Sequence, residues 1–127
     1  MNVLFVCVGN SGRSVMAEHL FRRAAGDRHS VRSAGSAPRT TGPEPVVVEA
    51  MREIGVDVSG HIPRKLDADA LAWADVAVSV CADEVCPVTP GVRRVSWAIA
   101  DPWGEPIERV RQIRDEIAAR VDALDVG

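Results

Sequence analysis

The sequence predicts an α/β fold, in which a parallel sheet alternates with helices along a single domain spanning residues 1–127. Three observations carry that reading. Residues 3–8 form a nearly unbroken apolar run with the composition of a strand buried on both faces. Three further short strand-like runs lie at residues 30–34, 76–80 and 92–97, and segments of helical periodicity fall between the first three. The chain closes on its clearest period, with Ile107, Val110, Ile113, Ile117, Val121 and Leu124 at three- and four-residue intervals. Strands that alternate with amphipathic helices pair in parallel and bury the helices against the sheet.

Each element has its own local signals. After the first strand the chain breaks at Gly9-Asn10-Ser11-Gly12 and becomes helical from Ser14 to Ala25, with Met16, Leu20 and Ala24 inward and Gly26 as a stop. His19 reads as a partly exposed residue of that helix. The second strand ends at Gly35, and residues 36–45 carry three prolines and a glycine, so they form a loop. Pro45 suits the first turn of the second helix, whose inward positions are Val46, Val47, Ala50, Met51 and Ile54. Residues 56–65 connect to a short third helix over residues 67–74, with Leu71 and Trp73 packing inward. The third strand is followed by a polar excursion that holds Cys81 and Cys86. Residues 98–106, built on Asp101-Pro102-Trp103-Gly104, lead from the fourth strand to the last helix, whose Arg and Glu residues fall mainly on the solvated face.

Composition narrows the function classes. Hydrophobic residues make up 46% and charged residues 26% of the chain, as in water-soluble globular domains. A net charge of −3 argues against an extended nucleic-acid surface. No apolar run approaches membrane length and no leader pattern opens the chain, so a cytoplasmic address without membrane contact is expected. Three cysteines, an odd number, do not make a secreted disulfide framework; free, catalytic or redox-active thiols are the expectation.

Chemistry concentrates at Cys7-Val8-Gly9-Asn10-Ser11-Gly12-Arg13-Ser14. A thiol at a strand end, a short loop, an arginine and a helix start together suit a tetrahedral oxyanion. Loop amides from Val8 to Arg13 and the helix N-terminus point at the anion, and the Arg13 guanidinium clamps two of its oxygens. The same field lowers the thiol pKa, so that Cys7 can attack as thiolate. Gly9 and Gly12 open backbone angles closed to other residues, and Asn10 tolerates the left-handed region. Ser14 is expected at the N-cap, its hydroxyl on a free amide or on the thiolate.

That octapeptide, followed by Met16-Ala17-Glu18, resembles the low-molecular-weight protein tyrosine phosphatase superfamily, and more closely its arsenate reductase branch. Ser33-Ala34-Gly35, Cys86-Pro87, Ser96-Trp97, Asp101-Pro102 and residues 113–117 extend the resemblance over nearly the whole chain. It implies a three-layer sandwich with a four-stranded parallel sheet in the order 2-1-3-4, helices on both faces, and the end of strand 1 at a topological switch point. It also implies that Asp101, held by Pro102, is the general acid opposite the thiolate.

With strands 1 and 3 adjacent and parallel, Cys7 and Cys81 leave the sheet on the same edge. This permits a relay: Cys7 attacks arsenate, Cys81 attacks Cys7 and releases arsenite, and Cys86 takes over the disulfide for reduction by thioredoxin. A low-molecular-weight thiol such as mycothiol is an alternative reductant. A phosphatase acting on phosphotyrosine or small phosphate esters is an alternative activity, because phosphate and arsenate are near-isosteres. An oxyanion-binding or redox-sensing module without turnover is a third reading. The sequence departs from the family at three points. Gly12 replaces a usual cysteine, and Cys81 and Cys86 are closer together than in the best-known three-cysteine reductases. Asn10, Glu18 and Ser33 match a potassium site of one subgroup, but Arg64 stands where its acidic partner is expected. No cofactor and no metal ion are therefore expected.

Overall fold

A computed structural model describes residues 1–80 and 93–124. Cys81 and Cys86, expected to form the relay, lie outside the described residues. The chain runs β1 (Asn2–Cys7), α1 (Arg13–Ala25), a 3-10 turn (Gly26–Arg28), β2 (Ser30–Gly35), α2 (Pro45–Arg52), α3 (Ala68–Trp73), β3 (Val76–Ser79), β4 (Arg93–Ser96) and α4 (Ile107–Ala123). The four strands form one parallel sheet in the order β2-β1-β3-β4, as the resemblance implied.

The double-sided burial of β1 follows from its central place. Val3, Phe5 and Cys7 face one core with α1, α2 and α4, while Leu4 and Val6 face a second, smaller one with Ala74 and partly buried residues of α3. Phe5 meets the rings of Phe21 and Trp97, each with centroids 5.8 Å away. On the other side, Leu66, Leu71 and Trp73 pack against Leu4 and Val6, and Arg32 stacks 4.2 Å over Trp73. Three helices thus cover one face and α3 the other, which gives the three layers expected.

Local signals place most element ends within a residue or two of expectation, and two differences have physical causes. The first helix begins at Arg13 with Gly12 as its N-cap and no side-chain cap, so Ser14 lies inside the first turn. Its hydroxyl is drawn to the Cys7 sulfur instead, 2.8 Å away. In α4, Arg114 is buried among the inward positions rather than solvated. Its guanidinium donates to the Ala50 carbonyl (2.7 Å) and to Glu53 (3.0 Å), which ties α4 to the end of α2. That bond satisfies a backbone acceptor left free at the end of α2.

Candidate active site

The five residues between Cys7 and Arg13 form a loop at the carboxyl end of β1, beside the start of α1. The segment after β2 fixes the loop's orientation. The carbonyls of Cys7, Val8, Gly9 and Ser11 accept hydrogen bonds from the amides of Ser36 (3.1 Å), Ala37 (2.9 Å), Arg39 (2.9 Å) and Glu44 (2.9 Å). In a trans peptide the N–H points opposite to the C=O before it, and no cis bond occurs among the described residues. The amides of Val8, Gly9, Asn10 and Gly12 are therefore turned to the inside of the loop. The Asn10 amide donates to the Cys7 sulfur at 3.2 Å, and Asn10 takes a φ of 48° to allow it.

This strapping requires a glycine at the end of β2. A Cβ on Gly35 would sit 2.3 Å from the Val8 oxygen and 2.9 Å from the Asn10 nitrogen. Gly35→Ala is expected to destabilise the fold by about 1–3 kcal/mol, read by urea denaturation, and to weaken anion binding because the Val8 carbonyl must move. Gly12 is constrained from the opposite side: a Cβ there would lie 3.0 Å from the Pro102 ring. The glycine that departs from the family pattern is therefore matched to the Asp-Pro loop that closes over it.

Cys7 is buried, 3% exposed. Arg13, the first residue of α1, is held by a bond from Nη1 to the Ile99 carbonyl (2.9 Å), and its Nη2 lies 3.8 Å from Asp101. Asp101 is more exposed, and one of its oxygens accepts the Trp103 amide at 3.0 Å. The loop backbone, Cys7, Arg13 and Asp101 line one cavity of about 150 Å³, a size suited to a small tetrahedral anion. The structure thus brings together Cys7, Val8, Gly9, Ser11, Gly12, Arg13 and Asp101 at one opening.

Three residues complete the rim. Arg39 stacks 3.7 Å over the Trp103 ring, and Glu44 accepts the Gly104 amide at 3.3 Å. Burial, with help from the neighbouring Asp101, raises the Glu44 carboxyl above the ordinary glutamate range. The sequence marked Trp103 only as part of the Asp-Pro loop and gave no sign of Arg39 and Glu44. Nothing local marks a loop arginine and glutamate as partners of residues some sixty positions away.

Behind the loop lies a network centred on Asn10, which is fully buried. Its amide nitrogen donates to Ser14 Oγ (2.8 Å) and to Ser33 Oγ (2.9 Å). Its oxygen accepts the Arg64 amide (2.9 Å) and His61 Nε2 (3.0 Å). Because Asn10 already donates to Ser14 Oγ, the Ser14 proton is free to point at the Cys7 sulfur. Ser33 donates onward to Glu18 (2.6 Å), whose other oxygen takes Arg22 at 2.8 Å. Residues that matched a potassium site are here bonded directly to one another, and the Asn10 oxygen is taken by the Arg64 backbone.

Comparison with known proteins places these features in context. Residues 2–125 match the family model described as low molecular weight phosphotyrosine protein phosphatase. An arsenate reductase of Brevibacillus brevis is 42% identical over 122 residues, covering 94% of this chain and 90% of that protein. Among solved structures, a thioredoxin-dependent arsenate reductase of Corynebacterium glutamicum superposes with a TM-score of 0.82 at 35% identity. The match covers 96% of this chain, which spans 58% of that longer protein. A low molecular weight protein tyrosine phosphatase of T. tengcongensis superposes with a TM-score of 0.83 at 27% identity, covering 96% and 95% of the two chains. No helix among the described residues is long and apolar enough to cross a membrane.

Proposed function

This chain belongs to the low molecular weight phosphotyrosine protein phosphatase family, and from that premise we propose that it is an arsenate reductase that turns arsenate into arsenite with its own cysteines. One observation carries the choice within the family. The Cys7 sulfur ends β1 inside an amide-lined loop, and the neighbouring parallel strand β3 ends at Ser79, two residues before a second cysteine. Val80 donates its amide to the Val6 carbonyl at 2.9 Å, and Cys81 is the next residue. The full-length similarity to named arsenate reductases supports the same reading.

The geometry suggests how the steps proceed. Arsenate enters the loop, where the amides of Val8, Gly9 and Gly12 and the Arg13 guanidinium take its oxygens. Donors from Asn10 N–H and the Ser14 hydroxyl favour the Cys7 thiolate. The thiolate forms a bond to arsenic, and an arsenate oxygen leaves as water with a proton from Asp101. Cys81 then attacks the Cys7 sulfur. The sulfur–arsenic bond breaks, its electron pair stays on arsenic, and arsenite departs from a Cys7–Cys81 disulfide. Cys86 displaces Cys7 from Cys81, and the resulting Cys81–Cys86 disulfide is reduced by a dithiol such as thioredoxin. Two thiols are oxidised for each As(V) reduced to As(III), so electrons balance without a cofactor. A mycothiol-type thiol in place of the relay is the variant that a change of donor in the assay separates.

The test is mass mapping of disulfides after stoichiometric arsenate under anaerobic conditions. Arsenite together with a Cys81–Cys86 disulfide is the expected result. The phosphatase reading has its own support in the tyrosine phosphatase that shares this fold. Efficient hydrolysis of an aryl phosphate, undiminished in Cys81→Ser/Cys86→Ser and with no disulfide formed by arsenate, would establish it instead. Anion binding by calorimetry with no product from either substrate would leave only a binding module.

A further inference from the structure

A second cluster of reactive side chains lies on the far side of Asn10 from the substrate cavity. Glu18 and His19 on α1 and His61 in the connection between α2 and α3 each present one ligand atom, and the three atoms lie within 4.8 Å of one another. The two imidazoles meet edge to face with centroids 5.8 Å apart. Glu18, His19 and His61 line a separate cavity of about 370 Å³ that is open to solvent. Among the described residues, His19 Nε2 is the one buried side-chain polar atom with no hydrogen-bond partner. Its nearest acidic oxygen, on Glu18, is 3.6 Å away, too far for a hydrogen bond. An orphaned buried nitrogen costs about 1–3 kcal/mol, and a ligand that takes its lone pair removes that cost.

From this arrangement we propose that Glu18, His19 and His61 form a binding site for a divalent transition-metal ion of the zinc type, linked to the reactive thiol through Asn10. Two imidazoles and a carboxylate are a ligand set preferred by zinc and by its neighbours in the first transition row. Burial holds both His19 and His61 below the ordinary histidine range, more than Glu18 raises them, which favours the neutral rings that keep a lone pair. The neutral His61 ring donates through Nε2 to Asn10 Oδ1, which leaves its lone pair on Nδ1. A ligating imidazole whose other N–H is held by a carbonyl oxygen is how proteins orient metal-bound histidines. Nitrogen and oxygen donors around a tetrahedral zinc ion stand roughly 3.3–3.6 Å apart, so the three side chains, now within 4.8 Å of one another, draw closer to hold an ion.

One interaction opposes the site. Arg22 donates to Glu18 at 2.8 Å and approaches His19 Nδ1 at 3.5 Å. The Arg22 side chain is half exposed and can turn into solvent, freeing a Glu18 oxygen and letting His19 carry its proton on Nδ1. Arg64 and Arg32 also border the cavity, with Asp57 as a second carboxylate there. The site shares Glu18 with the potassium position matched in the sequence and differs from it in its two imidazoles, which are poor ligands for an alkali cation and good ones for zinc.

The path to the catalytic sulfur is short. His61 holds the Asn10 oxygen, the Asn10 amide holds Ser14, and Ser14 holds Cys7. A metal that fixes the His61 ring therefore stabilises the arrangement that points two donors at the thiolate. This proposal does not depend on which oxyanion the enzyme turns over.

The test uses the full-length chain without a polyhistidine tag, as Cys7→Ser/Cys81→Ser/Cys86→Ser so that no thiolate can take the metal. Calorimetry with zinc chloride is expected to show one ion per chain, with or without potassium chloride. His19→Gln and His61→Gln, each shown to be folded by circular dichroism, are expected to weaken binding by on the order of tenfold or more. Arg22→Gln is expected to tighten it. Cobalt(II) is expected to give visible ligand-field bands of a nitrogen–oxygen site in the parent and not in His19→Gln. Absence of zinc binding, binding unchanged in both folded histidine variants, or zinc displaced by potassium would each overturn the proposal.

Discussion

Cys7→Ser is expected to lower arsenate turnover by roughly four orders of magnitude or more while the fold and the anion site persist. Serine is the nearest isostere, and Cys7 is 3% exposed in a core that tolerates it only because the sulfur has polar neighbours. The Asn10 amide and the Ser14 hydroxyl that bond the sulfur can bond an alkoxyl oxygen as well. What is lost is nucleophilicity. The loop donors that suffice to hold a thiolate cannot ionise a serine hydroxyl, whose unperturbed acidity is far weaker. A serine also cannot enter a disulfide, so neither arsenite release nor oxidation of Cys81 follows. Phosphate or sulfate should still bind by calorimetry with little change, since the amides of Val8, Gly9 and Gly12 and the Arg13 guanidinium remain. Retention of more than about a hundredth of the wild-type rate would remove Cys7 as the nucleophile. Unchanged turnover with lost anion binding would invert the roles assigned to sulfur and loop.

The contrast between Cys7 and its supporting residues shows what a sequence discloses. Cys7, Arg13 and the glycines between them are adjacent in the chain, and their chemistry depends on a local turn, so spacing alone points to an oxyanion loop. The elements were legible for a similar reason. The double-sided burial of β1 and the stripe on α4 are periodic patterns set by burial, while the strand order came from resemblance because periodicity does not encode which strands are neighbours. Contacts between distant segments were not legible. Arg39 over Trp103, Glu44 beside the Gly104 amide, and Arg114 on the Ala50 carbonyl each join segments some sixty residues apart. His19 was read as a plain helix residue, since nothing in α1 announces that His61 packs against it. Ser14 was assigned the N-cap by residue type. Gly12 took that place because the loop must leave the first-turn amides open and because Pro102 packs where a side chain would stand.

Asn10 shows this most sharply, since its type suited a left-handed turn while its side chain organises the site. Asn10→Asp is expected to raise the Cys7 thiol pKa by about one unit or more and to lower kcat/KM for arsenate by roughly a hundredfold. Aspartate has the same shape and accepts the same left-handed backbone, so φ at this position need not change. Its two oxygens can still accept the Arg64 amide and His61 Nε2. They cannot donate to Ser14 and Ser33, which are the bonds that leave the Ser14 proton aimed at the sulfur. Ser14 would turn its proton toward the new carboxylate, so the thiolate loses a donor and gains a negative neighbour, and both effects favour the protonated thiol. The sign is therefore upward, and the thiolate fraction at neutral pH falls. Alkylation of Cys7 by iodoacetamide across pH, in a Cys81→Ser/Cys86→Ser background, reads the shift directly. The midpoint should move to higher pH than in the parent, with stability reduced by roughly 1–3 kcal/mol for the two unmet bonds. An unchanged midpoint in a folded Asn10→Asp chain would show that the Asn10–Ser14 bond does not govern the thiol. A midpoint raised only by Asn10→Ala would assign the control to the Asn10 oxygen and its grip on residues 61 and 64.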